Sequence, residues 1–199
     1  MEKNKNRRRG EDLLESLYDA VIRLTMTVNP VSLTFQQIAE EANTSRTVLY
    51  RRWTAPFNLL QDVYAYKAKK LFDGEFFREL QNGGTLRGDL LQLLTVYQRV
   101  YNEVGPEIIN NYFYLRMQDK TNNEEPLLHR LAAEKYLNAM SGILKNAQAR
   151  GENVKEVNLI TLMLPFDLIR IENLIRPGNL TGKRLSIIVD EILLPVFLQ

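Results

Sequence analysis

Apolar residues recur every three or four positions through most of this 199-residue chain, and this spacing restricts its fold more than any other feature. The opening segment 11–28 shows it, with one helical face made of Leu13, Leu14, Leu17, Tyr18, Val21, Leu24 and Val28. No segment alternates apolar and polar residues over several positions, as a half-buried strand would. The spacing therefore predicts an all-α fold.

Glycine, proline and asparagine residues divide this helical pattern into segments. Asn29-Pro30 ends the first helix, and Thr54-Ala55-Pro56 marks a second break. Beyond that break, longer helices are predicted near 56–81, 86–103, 106–118, 124–150, 155–176 and 182–198. The chain thus divides near residue 55 into a three-helix N-terminal unit, 11–55, and a body of about six helices, 56–199.

Composition excludes several kinds of site. The chain has no cysteine, so a disulfide, a thiolate zinc site or a cysteine nucleophile is impossible. Its one histidine, His129, rules out a multi-histidine metal site. We therefore expect no metal and no cofactor, and a Ser-His-Asp triad is possible only around His129. The carboxylates of Glu40-Glu41 and Glu124-Glu125 are adjacent and point to different helix faces, so we also expect no enzymatic activity. No segment reaches eighteen consecutive apolar residues, so we also expect a cytoplasmic protein without a membrane span.

The first ten residues form a basic segment. It contains five basic residues, Lys3, Lys5, Arg7, Arg8 and Arg9, and one acidic residue, Glu2. Within these ten residues the only large apolar side chain is that of Met1. Such a composition predicts a flexible basic arm over residues 1–10. The net charge of the whole chain is only +2, which by itself indicates no particular partner.

The segment TFQQIAEEANTSRTVLYRRW, which begins at Thr34, predicts two short helices joined by a tight turn. Thr34 opens a T-x-x-Q capping box, and Asn43 stands where a helix end needs left-handed geometry. A further helix is predicted from Thr44 or Ser45 to Trp53. Two short helices packed against a preceding one are the layout of a helix-turn-helix.

The second helix of this pair has the two faces that DNA recognition needs. Val48 and Leu49 supply an apolar seam that holds the helix on its neighbours. No acidic residue lies between Ala42 and Gln61, so the segment carries a local charge of +3. Its remaining side chains are donors suited to phosphates and base edges: Ser45, Arg46, Thr47, Tyr50, Arg51 and Arg52.

The N-terminal unit resembles the TetR/AcrR family of transcriptional regulators. The likeness is carried by LLESLYDAVIRL, by LTFQQIAEEA and by SRTVLYRRW with the following Leu59-Leu60, and it covers about residues 11–60. The resemblance implies a TetR-like fold and a homodimer that binds a palindromic operator in double-stranded DNA. It also implies a repressor that a small apolar or aromatic effector releases.

The resemblance further implies roles for individual residues. Thr34 and Ser45 would cap helices and face phosphates, and Trp53 would pack in the core. Base edges would be reached by Arg46 and Thr47. Tyr50 would contact a phosphate, and Arg51 or Arg52 would contact a phosphate or a base. The arm residues Arg7, Arg8 and Arg9 would enter the neighbouring minor groove or follow the phosphates.

Two places depart from the family pattern. Asn29-Pro30 must make a turn that usually contains glycine. Pro56 stands where a phosphate-binding lysine is common, and Ala55 where a serine cap is common. Phosphate anchoring would then rest on Arg51, Arg52 and the basic arm.

The last two predicted helices are unusually apolar. Apolar residues wrap most of the circumference of the final one: Ile187, Ile188, Val189, Ile192, Leu193, Leu194, Val196 and Phe197. A helix packed on one side shows a single apolar stripe, so a second neighbour is needed. Either the two helices are buried inside the chain, or residues 155–198 form a two-fold dimer interface of four helices. We favour the dimer.

Aromatic and methionine residues are frequent in the helical body. In the family this region encloses an effector site, and the resemblance gives as candidate lining residues Tyr64, Tyr97, Tyr101, Tyr112, Phe113, Met117, Met140, Met163 and Phe166. The same residues at helical spacing are also typical of a plain core. For the whole chain, the alternative to a DNA-binding regulator is a helical adapter that binds protein partners and no DNA.

Overall fold

The computed structural model describes residues 10–73, 80–118, 127–178 and 180–199. The helices are α1 Glu11–Thr25, α2 Phe35–Glu41, α3 Arg46–Tyr50, α4 Pro56–Asp73, α5 Leu86–Val104, α6 Pro106–Gln118, α7 Leu127–Ala149, α8 Leu159–Ile175 and α9 Gly182–Ile187, the last continuing through a π-helical segment, Ile188–Leu193, into α10 Leu194–Phe197. Within these ranges the only β-type pairing is an isolated bridge between Val154 and Leu198. The predicted all-α fold is confirmed.

The first of two compact units comprises Met1–Lys67 and Glu107–Lys120. It holds α1, α2 and α3, together with most of α4 and of α6. Its core is apolar, and the side chains with no exposed surface in it are those of Leu17, Ala20, Val21, Ile38, Leu49, Leu59 and Val63. Because α2 packs on α1 and α3 packs on α2, this core fixes the geometry of the short helix pair.

Local signals set the ends of α2. The Gln37 amide N–H donates to Thr34 Oγ1 over 3.3 Å, and the Gln37 side chain accepts from the Thr34 N–H over 2.9 Å. This is the predicted capping box. Asn43 has a φ of 51°, the predicted left-handed residue. Before α2, Pro30–Ser32 form a 3-10 turn in place of the family's glycine.

The second compact unit comprises Ala68–Pro106 and Thr121–Gln199. Here α5 packs against α7, α8 and α9. Three aromatic rings meet in its core. The rings of Tyr136 and Phe166 stack at 4.4 Å, and Tyr97 meets both edge-on at 5.3 and 5.2 Å.

A polar network joins the start of α5 to the end of α7. Arg150 pairs with Asp89 and with Glu152, each over 2.8 Å. The Glu152 carboxylate also accepts the backbone N–H of Leu86 over 2.9 Å, so a residue distant in sequence satisfies one of the first donors of α5.

The C-terminal residues are held by backbone pairing. The Lys155 N–H donates to the Phe197 carbonyl over 2.8 Å, and the Gln199 N–H donates to the Asn153 carbonyl over 2.9 Å. Residues 155–158 therefore lie outside any helix, and α8 begins at Leu159 instead of the predicted residue 155. Among the described helices, none combines the length and the apolarity required to cross a bilayer.

Candidate nucleic-acid interface

The recognition-helix candidate, α3, is held from one side. Leu49 has no exposed surface and Val48 is half-buried, as the apolar seam predicts. Trp53, just after the helix, is buried, and its Nε1–H donates to Asp62 Oδ2 of α4 over 2.7 Å. These contacts hold α3 on the core of the first unit and tie its end to α4, and they leave its other side open to a partner.

The polar side of α3 is at the surface. The residues predicted to contact DNA there are all exposed: Ser45, Arg46, Thr47, Tyr50, Arg51 and Arg52. Tyr50 is 62% exposed, while its ring packs edge-on against Phe35 at 4.8 Å. Phe35 therefore restricts the ring of Tyr50 without burying it.

Two details of α3 differ from the sequence prediction. The helix ends at Tyr50, and Arg51 and Arg52 lie in a turn, because the chain tightens to bring Trp53 into the core. In that turn the Arg52 N–H donates to the Leu49 carbonyl, three residues back. Ser45 occupies the N-cap position, but its side chain makes no capping hydrogen bond, in contrast to Thr34.

Arg52 acts electrostatically on the core beside α3. Burial raises the pKa of the Tyr18 phenol, and Asp62 raises it further. The positive charge of Arg52 opposes this rise.

The start of α4 compensates for the missing serine cap. Pro56 is the first residue of α4, as predicted. Asn58 Oδ1 accepts the N–H of Ala55 over 3.2 Å and the hydroxyl of Thr54 over 2.8 Å. The N-terminal arm, with Arg7, Arg8 and Arg9, lies outside the described residues.

Two open clefts flank α2. One, of about 330 Å³, joins α2 to the start of α3 and is lined by Gln36, Ala39, Glu40, Thr44, Ser45 and Arg46. The other, of about 600 Å³, joins α1 to the end of α2 and has a net negative charge; its lining residues are Asp12, Glu15, Ser16, Asp19, Arg23, Glu41, Ala42 and Asn43. The clefts therefore differ in charge, and only the first contains residues predicted to read DNA.

Sequence reasoning missed Gln36 and Glu40, which share the first cleft with Arg46. The available signal was their i,i+4 spacing on the polar face of α2. The Gln36 amide Nε2 donates to Glu40 Oε1 over 3.0 Å, so the two exposed side chains form one unit.

The predicted effector-lining residues divide between the two compact units. In the second unit Tyr97, Tyr101, Met140 and Phe166 are buried and Met163 is half-buried. In the first unit Tyr64 and Phe113 are half-buried, and the side chain of Tyr112 lies outside the described residues. Met117 is 71% exposed, because its position on α6 faces away from the core, so it is not part of a buried group. Tyr136, which the prediction omitted, packs against Tyr97 and Phe166.

The last helices present an apolar surface, here called the α8–α9 face. Ile188, Val189, Leu193 and Phe197 are buried within the chain, so half of the predicted circumference is internal. Of the remaining four, Ile187 and Ile192 are exposed, and Leu194 and Val196 are half-buried. With the residues of α8, the exposed set is Leu159, Ile160, Ile171, Leu174, Ile175, Ile187 and Ile192. A single chain thus leaves seven large apolar side chains in solvent on these helices.

An ion-pair group lies among these exposed residues. Glu172 binds Arg176 over 3.1 Å and also accepts hydrogen bonds from Arg184. The hydrogen bond from Arg184 holds the pKa of the Glu172 carboxyl below its ordinary value. The ion pair between Glu172 and Arg184 thus joins α8 to α9.

Comparisons with known proteins agree with the geometry. No family model matches the chain. A DNA-binding transcriptional repressor, TetR, of Mycobacteroides abscessus is 23% identical over 186 residues, which cover 94% of each chain.

Solved structures share the fold. The fatty acid degradation regulator FadR from Bacillus halodurans superposes with a TM-score of 0.64 at 12% identity, over 94% of this chain and 97% of that one. A TetR-family transcription regulator from Marinobacter aquaeolei gives 0.61 at 16% identity, over 95% and 97%. A protein from Saccharomonospora viridis in complex with choline gives 0.67 at 14% identity, over 96% and 100%.

Proposed function

We propose that this chain is a DNA-binding transcriptional regulator of the TetR/AcrR family, in keeping with its similarity to a curated repressor and to TetR-family structures, and that it represses transcription as a homodimer on a palindromic operator. Residues 11–55 hold the DNA-binding surface in this proposal. Residues 56–199 supply the dimer interface and the site of a small effector that releases the DNA.

The observation that supports this proposal is the surface of α3. Its inner side is anchored by Leu49 and by the buried Trp53 that follows it, and its outer side exposes hydroxyl, guanidinium and phenol groups. Arg46 and Thr47 lie in the first turn, the part of a recognition helix that meets base edges in the major groove. Arg51, Arg52 and Tyr50 then serve as phosphate contacts.

The homodimer is supported by the α8–α9 face. Large groups of exposed apolar side chains mark interfaces, and the residues of this face lie on two helices that the Glu172–Arg184 ion pair joins. A two-fold axis through it would pair four helices. Two copies of α3 would then read half-sites one DNA turn apart, roughly 34 Å, which requires a palindrome.

The effector proposal rests on the second compact unit and on a neighbour. The structural neighbour from S. viridis binds choline, a small organic molecule. The buried ring group of Tyr97, Tyr136 and Phe166 lies in the same unit as α8. An effector that binds the DNA-free form 100-fold more tightly would shift DNA binding by about 2.7 kcal/mol.

Selection of bound sequences from random duplex DNA tests the function directly. We expect the selected sequences to contain a palindrome, because two identical α3 helices would read it. A gel shift at two salt concentrations should show binding that falls steeply as salt rises. Absence of DNA binding at low salt would overturn the proposal and favour the protein-binding adapter.

Replacing Arg46 tests base reading by α3. We expect Arg46→Ala to cost roughly 1–3 kcal/mol of operator binding and to relax the preference at one position of each half-site, because a bidentate contact to guanine is lost. Competition binding with operator and scrambled duplexes measures both effects. Equal loss of affinity on every sequence would contradict a base-reading role for Arg46.

Replacing Arg51 or Arg52 tests whether these residues anchor the protein to DNA phosphates. We expect Arg51→Ala or Arg52→Ala to weaken operator and random DNA alike. Each lost phosphate contact should lower the log–log salt slope by about 0.9. Lys145→Ala, which removes an exposed cation from α7 in the second unit, is the matched control. An unchanged slope in both arginine variants would remove these residues from the phosphate contacts.

A further inference from the structure

We propose that Gln36 and Glu40 of α2 form a second base-reading element beside Arg46, and that Glu40 accepts the amino group of a cytosine. This inference rests on the proposed function, because it needs α3 to enter the major groove. It adds to that function a specificity determinant that lies outside the recognition helix.

The shared cleft is the geometric basis of the proposal. Gln36 and Glu40 form one wall, and Ser45 and Arg46, at the start of α3, form the other. All four side chains are exposed, whereas Ala39 between the walls is buried. A base edge that meets Arg46 from this side therefore also meets the polar face of α2.

The hydrogen-bonding capacity of the pair defines what it can recognise. The Gln36 amide donates to one oxygen of Glu40, which restricts the carboxylate and leaves its second oxygen as an acceptor. In the major groove the exocyclic amino group of cytosine is a donor, and a carboxylate is its side-chain partner. The guanine acceptors N7 and O6 are instead suited to Arg46. The cleft thus combines a donor for guanine with an acceptor for cytosine.

The charge of Glu40 also argues for a base and against a phosphate. A carboxylate repels the phosphate backbone, so Glu40 would weaken DNA binding unless the amino group of a base meets its second oxygen. Glu41, the next residue, differs in this respect. Its carboxylate pairs with Arg23 of α1 over 2.6 Å and lines the acidic cleft on the other side of α2.

These adjacent glutamates supply a matched experiment. Selection from a random duplex pool is run in parallel for the wild-type chain, Glu40→Ala and Glu41→Ala. Both variants lose one negative charge from the same helix, so both should bind random DNA somewhat more tightly. Only Glu40→Ala is expected to lose a cytosine preference, of at least about fivefold, at one position of each half-site.

Gln36→Ala is the second variant, because it removes the group that orients Glu40. We expect it to relax the same position as Glu40→Ala. Thermal melting shows whether all three variants fold, which we expect because the substituted side chains are exposed. A cytosine preference that survives Glu40→Ala, or that Glu41→Ala relaxes equally, would overturn the assignment.

The test separates this inference from the function on which it rests. If the wild-type chain selects no sequence, the proposed regulator function fails and the α2 element fails with it. If the wild-type chain selects a palindrome that Glu40→Ala leaves unchanged, only the assignment of Gln36 and Glu40 fails.

Discussion

Replacing Ile171 by lysine is expected to convert the dimer into monomers and to lower operator affinity by about a thousandfold or more. Ile171 lies within α8, is 49% exposed in the single chain and belongs to the α8–α9 face. A two-fold interface would bury the new ammonium group in both protomers without a partner, which is strongly unfavourable. A monomer presents one α3 helix, so its affinity should approach that of non-specific binding.

Sedimentation and operator binding measure this prediction together. The variant should sediment as a 23 kDa species where the wild-type chain sediments at twice that mass. Met26→Lys is the control, because Met26 is an apolar residue of the first unit that is 80% exposed and lies outside the α8–α9 face. A wild-type chain that is already monomeric at micromolar concentration would refute the interface.

Phe166→Ala is expected to destabilise the chain by roughly 3–5 kcal/mol. Phe166 has no exposed surface, and its ring contacts those of Tyr97 and Tyr136. Truncation removes these contacts and leaves a cavity that closely packed neighbours cannot fill. An effector that binds beside this ring group would need an open space at Phe166, and the cost would then be smaller, because a residue that faces an open pocket has fewer contacts to lose.

Chemical denaturation of the wild-type and variant chains measures this difference. Met163→Ala is the control on the same helix, and its half-buried side chain should lose less stability than Phe166. A loss below about 1 kcal/mol for Phe166→Ala would indicate that the ring borders a space large enough for a ligand.

Local signals made the ends of α2 predictable from the sequence. Thr34 and Gln37 make hydrogen bonds that depend only on residues three apart, and Asn43 adopts a conformation that few residues tolerate. Such interactions can be predicted without knowledge of the tertiary structure. The exposed polar side of α3 followed from the same reasoning, because Leu49 identified the opposite side as buried.

Features that depend on packing were not predictable in the same way. The end of α3 moved to Tyr50 because Trp53 turns toward Asp62 of α4, a residue nine positions away. The cleft that joins Gln36 and Glu40 to Arg46 arises from the angle between two helices, which their separate sequences do not specify. Periodicity likewise identified the final helix as apolar all round, but only its packing on α5 divides buried from exposed residues.

The π-helical segment Ile188–Leu193 determines which residues of the last helix face the core. Leu185, Val189, Leu193 and Phe197 are all buried and lie four residues apart. In a regular α-helix such a series drifts by about 40° at each step, so that its ends would face different directions. The wider turns of Ile188–Leu193 cancel this drift and keep Phe197 inward. Exposed residues such as Glu191 therefore matter through their number, because they set the spacing of the buried residues. The identity of these exposed residues is free to vary, but deletion of one would turn Phe197 away from the core.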